Sequence, residues 1–524
     1  MQRVLTVCPY CSCGCGLYLL VDGGDVIGVM PSAGHPVSRG SLCMKGWTSF
    51  QHLRHSERLD SPWIRRNGTR TRVPWEQAIA HTVEGLESVR LRHGGGAVGF
   101  WSSARATNEE FSLLQQIAWE GFESTAVRFD PVIHTLDHVP ASLLEGPRAA
   151  RLDDVQGADL LVVFGQGFLD HHPQVASRIL KARGQGARVV VISPYRDALA
   201  ERATLHIQVP VSDDVPSAFT NGGDWLSERL RTWWGEAARP VVVYPLKSLP
   251  LQRETALLGA FESLMGESGA KVLLLFPCAN SRGALHRRAG MTGPGDRALR
   301  ALVVVEENPA AWDARFRDLA RDLDLLVVLD LFLTETAELA HLVLPSAGFA
   351  EKGGTFTNTE GLLQALQPAV PPPGEARPAG AILAELAGRL GVRQVDTTSK
   401  PSPPPIPVAA VEGATATAEL ALASRAADDP PQFRHIPDRL RHMWLKDTLL
   451  RHTDDWQREH QDRWVEVHPE DANVLGLRPG WMVRIAGDGT EFQAVVRISE
   501  RVGRGILVTP YDLFEGLVQV ERSA

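Results

Sequence analysis

Four of the six cysteines in this chain lie within residues 8 to 16, in the stretch CPYCSCGCG. Cys8, Cys11 and Cys15 have the spacing C-x2-C-x3-C, and Cys43 follows after a further 27 residues, in GSLCMKG. Three thiolates on a tight loop can bind three corners of an iron–sulfur cubane, and a fourth from a separate segment completes the set. The spacing therefore predicts a [4Fe–4S] cluster bound by Cys8, Cys11, Cys15 and Cys43.

Zinc is the main alternative for this group of cysteines. Structural zinc sites usually have two C-x2-C pairs, whereas this chain has one, and a single local triplet excludes a two-cluster ferredoxin. Gly14 and Gly16 allow the backbone to pass close to inorganic sulfur, and amides of such a loop stabilise a cluster's negative charge. We expect Cys13 to be a spectator thiol and Cys278 to pack at the end of a strand.

The composition is that of a globular protein without a nucleic-acid partner. The 524 residues are 44% hydrophobic and 22% charged, and a net charge of −8 argues against a nucleic-acid footprint. No basic and apolar signal segment precedes Cys8, and no apolar run is long enough to span a bilayer. We therefore expect a cytoplasmic protein with no membrane span, in a reducing compartment where clustered cysteines bind metal rather than form disulfides.

Short apolar runs rich in valine and leucine recur between residues 96 and 330 and predict buried strands. Amphipathic segments such as 172–186 separate several of them and predict helices. Strands of this kind alternating with helices are typical of parallel sheets covered on both faces. Their number indicates two doubly wound lobes, with strands expected at 96–101, 159–165, 187–193, 239–245, 271–277, 301–307 and 324–330.

The composition of the sequence changes beyond about Val395. The run PSPPPIP (401–407) and the alanine-rich residues after it predict an extended linker. Residues 464–498 then alternate in β fashion, and Asp488-Gly489 is a strong hairpin signal. A small C-terminal β-barrel fits best. No P-loop or G-x-G-x-x-G fingerprint is present, so electrons are expected to come from or go to another subunit or a soluble carrier.

The cysteine spacing followed by Met-Lys-Gly resembles the N-terminal domain of the molybdopterin oxidoreductases, especially formate dehydrogenase catalytic subunits. Their relative, the large iron–sulfur subunit of complex I, shares the fold. The resemblance covers most of the chain. Its other segments are HSERLDSPWIR (55–65), SSARATNEE (102–110), ENPAAW (307–312), LFLTETAELAHLVLPSAGFAEKGGTFTNTEG (331–361) and VEVHPEDANVLGLRPG (465–480).

The resemblance implies an α/β protein with an N-terminal [4Fe–4S] domain, two doubly wound Rossmann-like lobes and a C-terminal double-psi-type β-barrel, as in formate dehydrogenase and DMSO reductase. We expect the cluster domain at 1–58, lobe A at 59–145 and again at 271–395 with a return to the cluster domain, lobe B at 146–270, a linker at 396–435 and the barrel at 436–524.

The resemblance also implies a molybdopterin guanine dinucleotide with molybdenum or tungsten. Lys45 matches the family's lysine between cluster and pterin, where a cation favours electron passage; a solvated surface lysine is the alternative. The other matching positions are polar or glycine residues, each of which could instead cap a helix or finish a loop. These candidate contacts are Gly165, Gln166, His172, Ser193, Arg196, Asp213, Asn280, Thr334 and Asn358.

The family's metal ligand, a cysteine or selenocysteine followed by a histidine, has no counterpart here. The equivalent stretch, residues 122–143, contains no cysteine. His134 matches the family's histidine and is the candidate catalytic residue, which puts Ile133 where the ligand belongs. A shifted register offers Asp130 or Asp137 instead, and VRFDPVIH also resembles the cofactor-free loop of the complex I subunit.

Three functions remain in view. The first is an iron–sulfur redox subunit that relays electrons through one [4Fe–4S] cluster, with a degenerate molybdopterin site, beside iron–sulfur, flavin or NAD-linked subunits of a larger complex. The second is an active molybdenum or tungsten oxidoreductase of formate dehydrogenase type with a non-cysteine metal ligand. The third is a non-redox scaffold in a formyl-transferring complex, against which the four retained cysteines argue.

Overall fold

The structure of the protein is a computed structural model. It describes most of the chain with gaps at several loops and in the linker. The described residues are 1–130, 139–165, 167, 171–193, 196–208, 228–246, 251–287, 299–392, 432–437, 448–454, 463–487, 490–510 and 517–522.

The described residues divide into two compact units. One contains residues 1–398 and 438–462, and the other contains 399–437 and 463–524. The first unit therefore includes a short segment that follows the first strand of the second unit in sequence.

An antiparallel three-stranded sheet opens the first unit, and its second strand in sequence pairs with both others. The hairpin loop between the first two strands is residues 8–15, and the amide of Cys8 donates to the carbonyl oxygen of Cys15 at 2.9 Å across its base. Four cysteines are thus presented by one closed hairpin loop. The strands are β1 (Gln2–Val7), β2 (Gly16–Asp22) and β3 (Asp25–Pro31).

The strands that follow belong to two larger sheets. In chain order they are β4 (Trp63–Arg66), β5 (Thr69–Arg72), β6 (Val98–Ser103), β7 (Val127–Asp130), β8 (Leu160–Phe164), β9 (Arg188–Ser193), β10 (Leu205–Gln208), β11 (Pro240–Pro245), β12 (Lys271–Leu275), β13 (Ala301–Val305), β14 (Leu325–Asp330) and β15 (Leu342–Pro345). A small hairpin of β16 (Gly354–Thr357) and β17 (Leu363–Leu366) comes next.

Lobe A is built on a seven-stranded sheet of order β5-β4-β15-β14-β13-β6-β7, and lobe B on a five-stranded sheet of order β10-β9-β8-β11-β12. The lobe B strands are all parallel, and so are those of lobe A from β15 to β7. The strand order reverses between β6 and β13 in lobe A and between β8 and β11 in lobe B. In open α/β sheets, ligands bind in the crevice at such a switch point, beyond the carboxyl ends of the strands.

Both faces of the lobe B sheet are buried, which explains its unbroken apolar strands. Leu161 and Val163 of β8 pack in one hydrophobic cluster with helix Pro173–Gly184 and the cluster domain. Leu160 and Val162 pack in another with helix Leu251–Ser268. Successive side chains of a strand point to opposite faces, so a strand covered twice must be apolar throughout.

The helices lie between these strands. Those of eight or more residues are Trp75–His93, Asn108–Gln116, Pro173–Gly184, Glu228–Glu236, Leu251–Ser268, Ala314–Asp322 and Ala379–Arg389. The shorter ones are Met44–Trp47, Ala141–Leu144, Leu152–Gly157, Ser281–Arg287, Glu335–Leu339, Thr448–Arg451 and Pro469–Val474. Within the part of the chain that the structure describes, no helix is both long and apolar enough to cross a bilayer.

The second unit is a closed six-stranded barrel. Its strands are β18 (Gln432–Pro437), β19 (Trp464–Val467), β20 (Met482–Gly487), β21 (Thr490–Ile498), β22 (Ile506–Thr509) and β23 (Leu517–Arg522). Their order around the barrel is β18-β22-β19-β21-β20-β23. β18 pairs in parallel with β22, and β19 with β21; the remaining pairs are antiparallel.

Each of the seven predicted strands is present, and the fold class is confirmed. The hairpin residues Asp488-Gly489 lie outside the described residues, but β20 and β21 on either side of them pair antiparallel. Two strands fall across the expected boundaries. β12 pairs with β11 and so belongs to lobe B rather than lobe A, and β18 begins at Gln432, inside the expected linker. The other boundaries stay a prediction.

A buried ion pair joins the end of the cluster domain to lobe A. The guanidinium of Arg58 donates to both carboxylate oxygens of Glu351, at 3.0 and 2.7 Å, and both side chains are under 5% exposed. The carboxylate also accepts the amide of Gly348 at 2.6 Å. A pair this deeply buried stabilises only while both partners are present.

Arg58→Ala should destabilise the protein by about 3–5 kcal/mol, because it leaves the Glu351 carboxylate buried without its cation. Differential scanning calorimetry should show a lowered first transition. Arg39→Ala is the matched control, since it breaks an Arg–Asp pair of 2.6 Å whose side chains are 51% and 63% exposed. Equal shifts in the two variants would contradict this interpretation of the Arg58 pair.

Candidate iron–sulfur centre and nucleotide edge

Cys8, Cys11, Cys15 and Cys43 line one cavity in the first unit. Three come from the β1–β2 hairpin loop, and Cys43 precedes the short helix Met44–Trp47. The structure thus brings together the two segments that the sequence predicted to share a cluster. The remaining lining residues are Tyr10, Leu42, Lys45, Gly46, Pro173 and Gln174.

Segment 358–364 forms hydrogen bonds to the backbone of the hairpin loop. The side-chain amide of Asn358 donates to the carbonyl oxygen of Cys13 at 3.1 Å, and that of Gln364 donates to the carbonyl oxygen of Gly14 at 2.8 Å. Ser12 accepts the amide of Thr359 at its carbonyl oxygen, at 2.8 Å. These bonds fix three consecutive loop residues between the cysteines, so the cysteine positions depend on a segment some 350 residues away.

Burial is the largest electrostatic influence on two of the cysteines in the hairpin loop. It raises the pKa of Cys8 and Cys15, and the negative charges of neighbouring thiolates raise these pKa values further. The Cys13 thiol donates a hydrogen bond to Cys11, which lowers the pKa of Cys11 and raises that of Cys13. Several thiolates in one buried cavity are costly unless a positively charged group binds them. The donor set fits a [4Fe–4S] cubane, which takes one thiolate at each iron.

Lys45 lies in the wall of the same cavity and is 1% exposed. Its ammonium nitrogen donates to the carbonyl oxygen of His171 at 3.5 Å. The next residue, His172, precedes helix Pro173–Gly184, and its Nε2 is 3.0 Å from the carbonyl oxygen of Phe276. Burial lowers the pKa of His172 to about 3, so the ring is neutral and donates this bond. Lys45 therefore reaches from the cysteine cavity to the loop that follows β8, at the lobe B switch point.

Three of the predicted nucleotide contacts lie at the carboxyl edge of the lobe B sheet. Gly165 follows β8 with a φ of 86°, a conformation that favours glycine. Ser193 ends β9, with its Oγ 3.0 Å from Nε2 of His206, and Arg196 is exposed. Gln166 and Asp213 lie outside the described residues.

Asp197 supplies a carboxylate at this edge that the sequence analysis missed. One oxygen accepts the amide of Gly167 at 2.8 Å, and the other accepts the amides of Leu199 and Ala200. Burial raises the pKa of Asp197. An aspartate side chain that accepts the backbone amides two and three residues further along the chain forms a common type of turn, which can be recognised in sequence. Asp197 joins the loop after β8 to the loop after β9.

The predicted contacts in lobe A are buried and already bound by protein groups. The Asn280 side chain donates to the carbonyl oxygen of Ala106 and accepts the amide of Thr357, both at 2.7 Å. Thr334 caps helix Glu335–Leu339 by accepting the amide of Ala337 at 3.2 Å. Asn358 holds the cysteine loop. These three side chains brace loops at the edge of the lobe.

The expected position of the catalytic metal lies outside the described residues. Residues 131–138, which contain Ile133, His134 and Asp137, are not described, and neither is the side chain of Asp130 at the end of β7. The role of His134 and the choice of metal ligand stay predictions.

His52 is a buried polar residue for which the sequence offers no motif. It is 0% exposed, and neither ring nitrogen has a hydrogen-bond partner among the described residues. Burial, followed by the positive charge of Arg58 and, more weakly, that of Arg105, holds the pKa of His52 well below its usual range. Arg105 follows β6, at the switch point of lobe A. Two unfilled hydrogen-bonding positions in a buried place are a feature that a polar ligand would satisfy.

Three family models match the chain. The molybdopterin oxidoreductase model matches residues 58–232 and 251–389, its Fe4S4 domain matches 1–55, and the molybdopterin dinucleotide binding domain matches 440–521. Together, the matches cover the N-terminal cluster domain, most of both lobes and most of the barrel strands.

Similar proteins and structures agree with these models. The alpha subunit of an F420-dependent formate dehydrogenase from Methanocaldococcus jannaschii is 26% identical, over 98% of this chain and 95% of that protein. Formate dehydrogenase H from Escherichia coli is 23% identical, over 75% of this chain and 68% of that protein. Acetylene hydratase from Pelobacter acetylenicus shares the fold, with a TM-score of 0.67 and 16% identity over 97% of this chain and 92% of that one.

Gly14→Ala should impair cluster binding, because a Cβ at this position would lie 2.1 Å from Oε1 of Gln364 and 2.8 Å from Cβ of Asn358. The φ of Gly14 is 70°, which adds about 1–3 kcal/mol of strain for a residue with a side chain. We expect substoichiometric iron and faster loss of the cluster to a chelator, followed by visible absorbance.

Gly23→Ala is the matched control for this substitution. Gly23 also has a positive φ, 59°, but its added Cβ would meet nothing within 4 Å. Iron content near the wild-type value in both variants would show that the close approach of segment 358–364 does not shape the cluster loop.

Proposed function

Since the chain belongs to the molybdopterin oxidoreductase family, we propose that it is the iron–sulfur relay subunit of a formate dehydrogenase-like complex. The proposal takes Cys8, Cys11, Cys15 and Cys43 as the ligands of one [4Fe–4S] cluster. It takes other redox subunits, iron–sulfur, flavin or NAD-linked, as the electron partners. The observation that carries it is the single cavity lined by four cysteines, with a buried lysine in its wall that reaches the lobe B edge.

The residues around the cavity have distinct parts in such a relay. When bound, the cluster supplies one-electron transfer. The four thiolates would hold it, the side chains of Tyr10 and Leu42 would help to keep water away, and the buried cation of Lys45 would lower the cost of added negative charge. The contact of Lys45 with His171 extends this charge toward the crevice where the family binds its dinucleotide.

The locations of the six cysteines support a metal position, beside the pterin, that has lost its cysteine ligand. Of the six cysteines in the sequence, four line the cavity, and Cys13 lies in the same loop. Cys278 is 2% exposed after the end of β12, in the apolar cluster that covers one face of lobe B. No cysteine is left for the position that the family's ligand occupies, and residues 122–143 carry none.

The length of the chain points in the same direction. The alignment with the alpha subunit from Methanocaldococcus jannaschii extends over 648 positions, whereas this chain has 524 residues. The relative therefore carries insertions that this chain lacks. A subunit that only transfers electrons needs its cluster ligands but not every segment of a catalytic subunit. The shorter chain with all four cysteines agrees with this role.

An active molybdenum or tungsten oxidoreductase is the second candidate, and two observations favour it. His52 is buried with both ring nitrogens unfilled, near the positive charge of Arg105 after β6. The dinucleotide binding domain is also present in the chain. In this candidate an aspartate of the loop after β7, or a non-protein ligand, completes the metal's shell.

Metal and nucleotide analysis of the anaerobically purified protein separates the two candidates. The relay proposal expects about four iron and four sulfide per chain, a four-iron EPR signal after reduction, and no stoichiometric molybdenum or tungsten. Stoichiometric molybdenum or tungsten, with guanine dinucleotide released on denaturation, would establish the second candidate and remove the first.

The same iron analysis on two cysteine variants tests the ligand set. Cys43→Ala should lower the iron content, because the cubane loses the thiolate of its separate segment. Cys13→Ala is the control, since this thiol lies in the same loop and is not a proposed ligand. Wild-type iron in Cys43→Ala, or equal losses in both variants, would refute the assignment.

Lys45→Met should shift the midpoint potential of the cluster to a more negative value, because a buried positive charge that favours reduction is removed. An EPR-monitored redox titration measures the shift. Lys271→Met is the control, since this lysine is 40% exposed and pairs with Asp154 at the surface. An unchanged potential in Lys45→Met would exclude the electrostatic role of Lys45.

A further inference from the structure

Two histidines and a glutamate meet at a place outside the lining of the cysteine cavity. His55 and Glu57 lie in the turn that follows the 3-10 helix Gln51–Arg54, and His452 directly follows helix Thr448–Arg451. One ligand atom from each side chain lies within 4.8 Å of the other two. The His55–Glu57–His452 cluster thus joins two segments almost 400 residues apart in sequence, within the first unit.

The ring of His452 is held in an orientation that suits metal binding. Its Nδ1 lies 2.7 Å from the carbonyl oxygen of Thr448, so this nitrogen carries the proton and donates it. Phe332 stacks on the ring, with centroids 3.6 Å apart and an interplanar angle of 7°. Ligating histidines usually donate one ring N–H to a carbonyl or carboxylate, which fixes the tautomer and leaves the other nitrogen for the metal.

The remaining nitrogen of His452 faces a carboxylate. Its Nε2 is 3.3 Å from an oxygen of Glu57, and the ring of His55 stands at 84° to that of His452, with centroids 4.8 Å apart. With Nδ1 protonated in the neutral ring, Nε2 presents a lone pair to the carboxylate oxygen. Two lone pairs at this distance need a cation between them, either a proton or a metal ion.

Glu57 determines the charge of the His55–Glu57–His452 cluster, because the arginines next to these residues in sequence are paired elsewhere. Arg58 is paired with Glu351 at 2.7 Å, and Arg451 with Glu335 at 2.8 Å. Both neighbouring arginines are therefore neutralised by carboxylates outside the cluster. A divalent cation would meet one negative charge and two imidazoles.

We propose that His55, Glu57 and His452 bind one divalent transition-metal ion of the zinc type. Two imidazole nitrogens and one carboxylate oxygen are a ligand set that suits such ions, and three protein ligands leave a position open to water. The ion ties helix Thr448–Arg451 to the turn that leads out of the cluster domain. The site is separate from the four cysteines, and the proposal does not depend on the electron relay.

His55 offers Nδ1 as its ligand atom. This nitrogen accepts the amide of Glu57 at 3.2 Å, which places the proton of the neutral ring on Nε2. An ion bound at Nδ1 replaces this hydrogen bond and leaves the ring neutral, with its proton still on Nε2.

Zinc titration of the anaerobic, cluster-containing protein after EDTA treatment tests the proposal, with isothermal calorimetry as the readout. The wild type should bind one more zinc ion than His452→Ala. Glu57→Gln, at an exposed position that should not disturb folding, should weaken binding by about tenfold or more. His81→Ala should behave as wild type, because this exposed histidine also neighbours a glutamate, at 4.0 Å, but forms no three-ligand group within the described part of the chain. The visible absorbance of the cluster, followed in the same titration, should stay constant.

Hydrogen exchange gives a second readout that locates the ion. Zinc should slow exchange in residues 55–58 and 448–454 of the wild type and of His81→Ala, but not of Glu57→Gln. Equal stoichiometry and affinity in wild type, His452→Ala and Glu57→Gln would overturn the proposal. So would zinc binding that leaves exchange in both segments unchanged.

Discussion

Burying four thiols around one cavity is the constraint on which the rest of the structure depends. Thiolates taken out of water repel one another and lose hydration, so the cavity is favourable only with a cationic group bound to them. The short hairpin loop cannot exclude water by itself. The surrounding protein therefore supplies the wall, through Lys45 and Leu42 beside Cys43, and Pro173 and Gln174 from lobe B.

The same constraint explains why the N-terminal sheet is not an independent appendage. Residues 358–364 bind three successive carbonyl oxygens of the cysteine loop, and Arg58 and Glu351 form a buried pair behind it. The following residue, Lys352, donates to Glu110 and Glu306 at 2.9 Å, in a buried network. Glu306 follows β13 at the lobe A switch point. One continuous stretch of chain thus connects the cluster loop to the crevice of lobe A.

The crevices themselves are braced by the residues that resemble nucleotide contacts. The side chains of Asn280, Thr334 and Asn358 form hydrogen bonds with other groups of the protein. The carboxylate of Asp197 joins two loops of lobe B. Motif residues at a switch point can therefore set loop geometry through contacts within the protein.

Spacing and periodicity determined much of this protein without a structure. C-x2-C-x3-C with a distant Cys43 identified the four cysteines that share a cavity, because loop chemistry is local. Apolar runs located seven of the twelve lobe strands, because a strand buried on both faces must be apolar. Only the tertiary structure decided which lobe β12 joins, since pairing partners are chosen over long range. It also brought Asn358 to the cysteine loop, left the ring nitrogens of His52 without a hydrogen-bond partner among the described residues, and placed His452 beside His55 and Glu57. Contacts between residues hundreds of positions apart leave no periodic trace in sequence, because they are set by packing of whole elements.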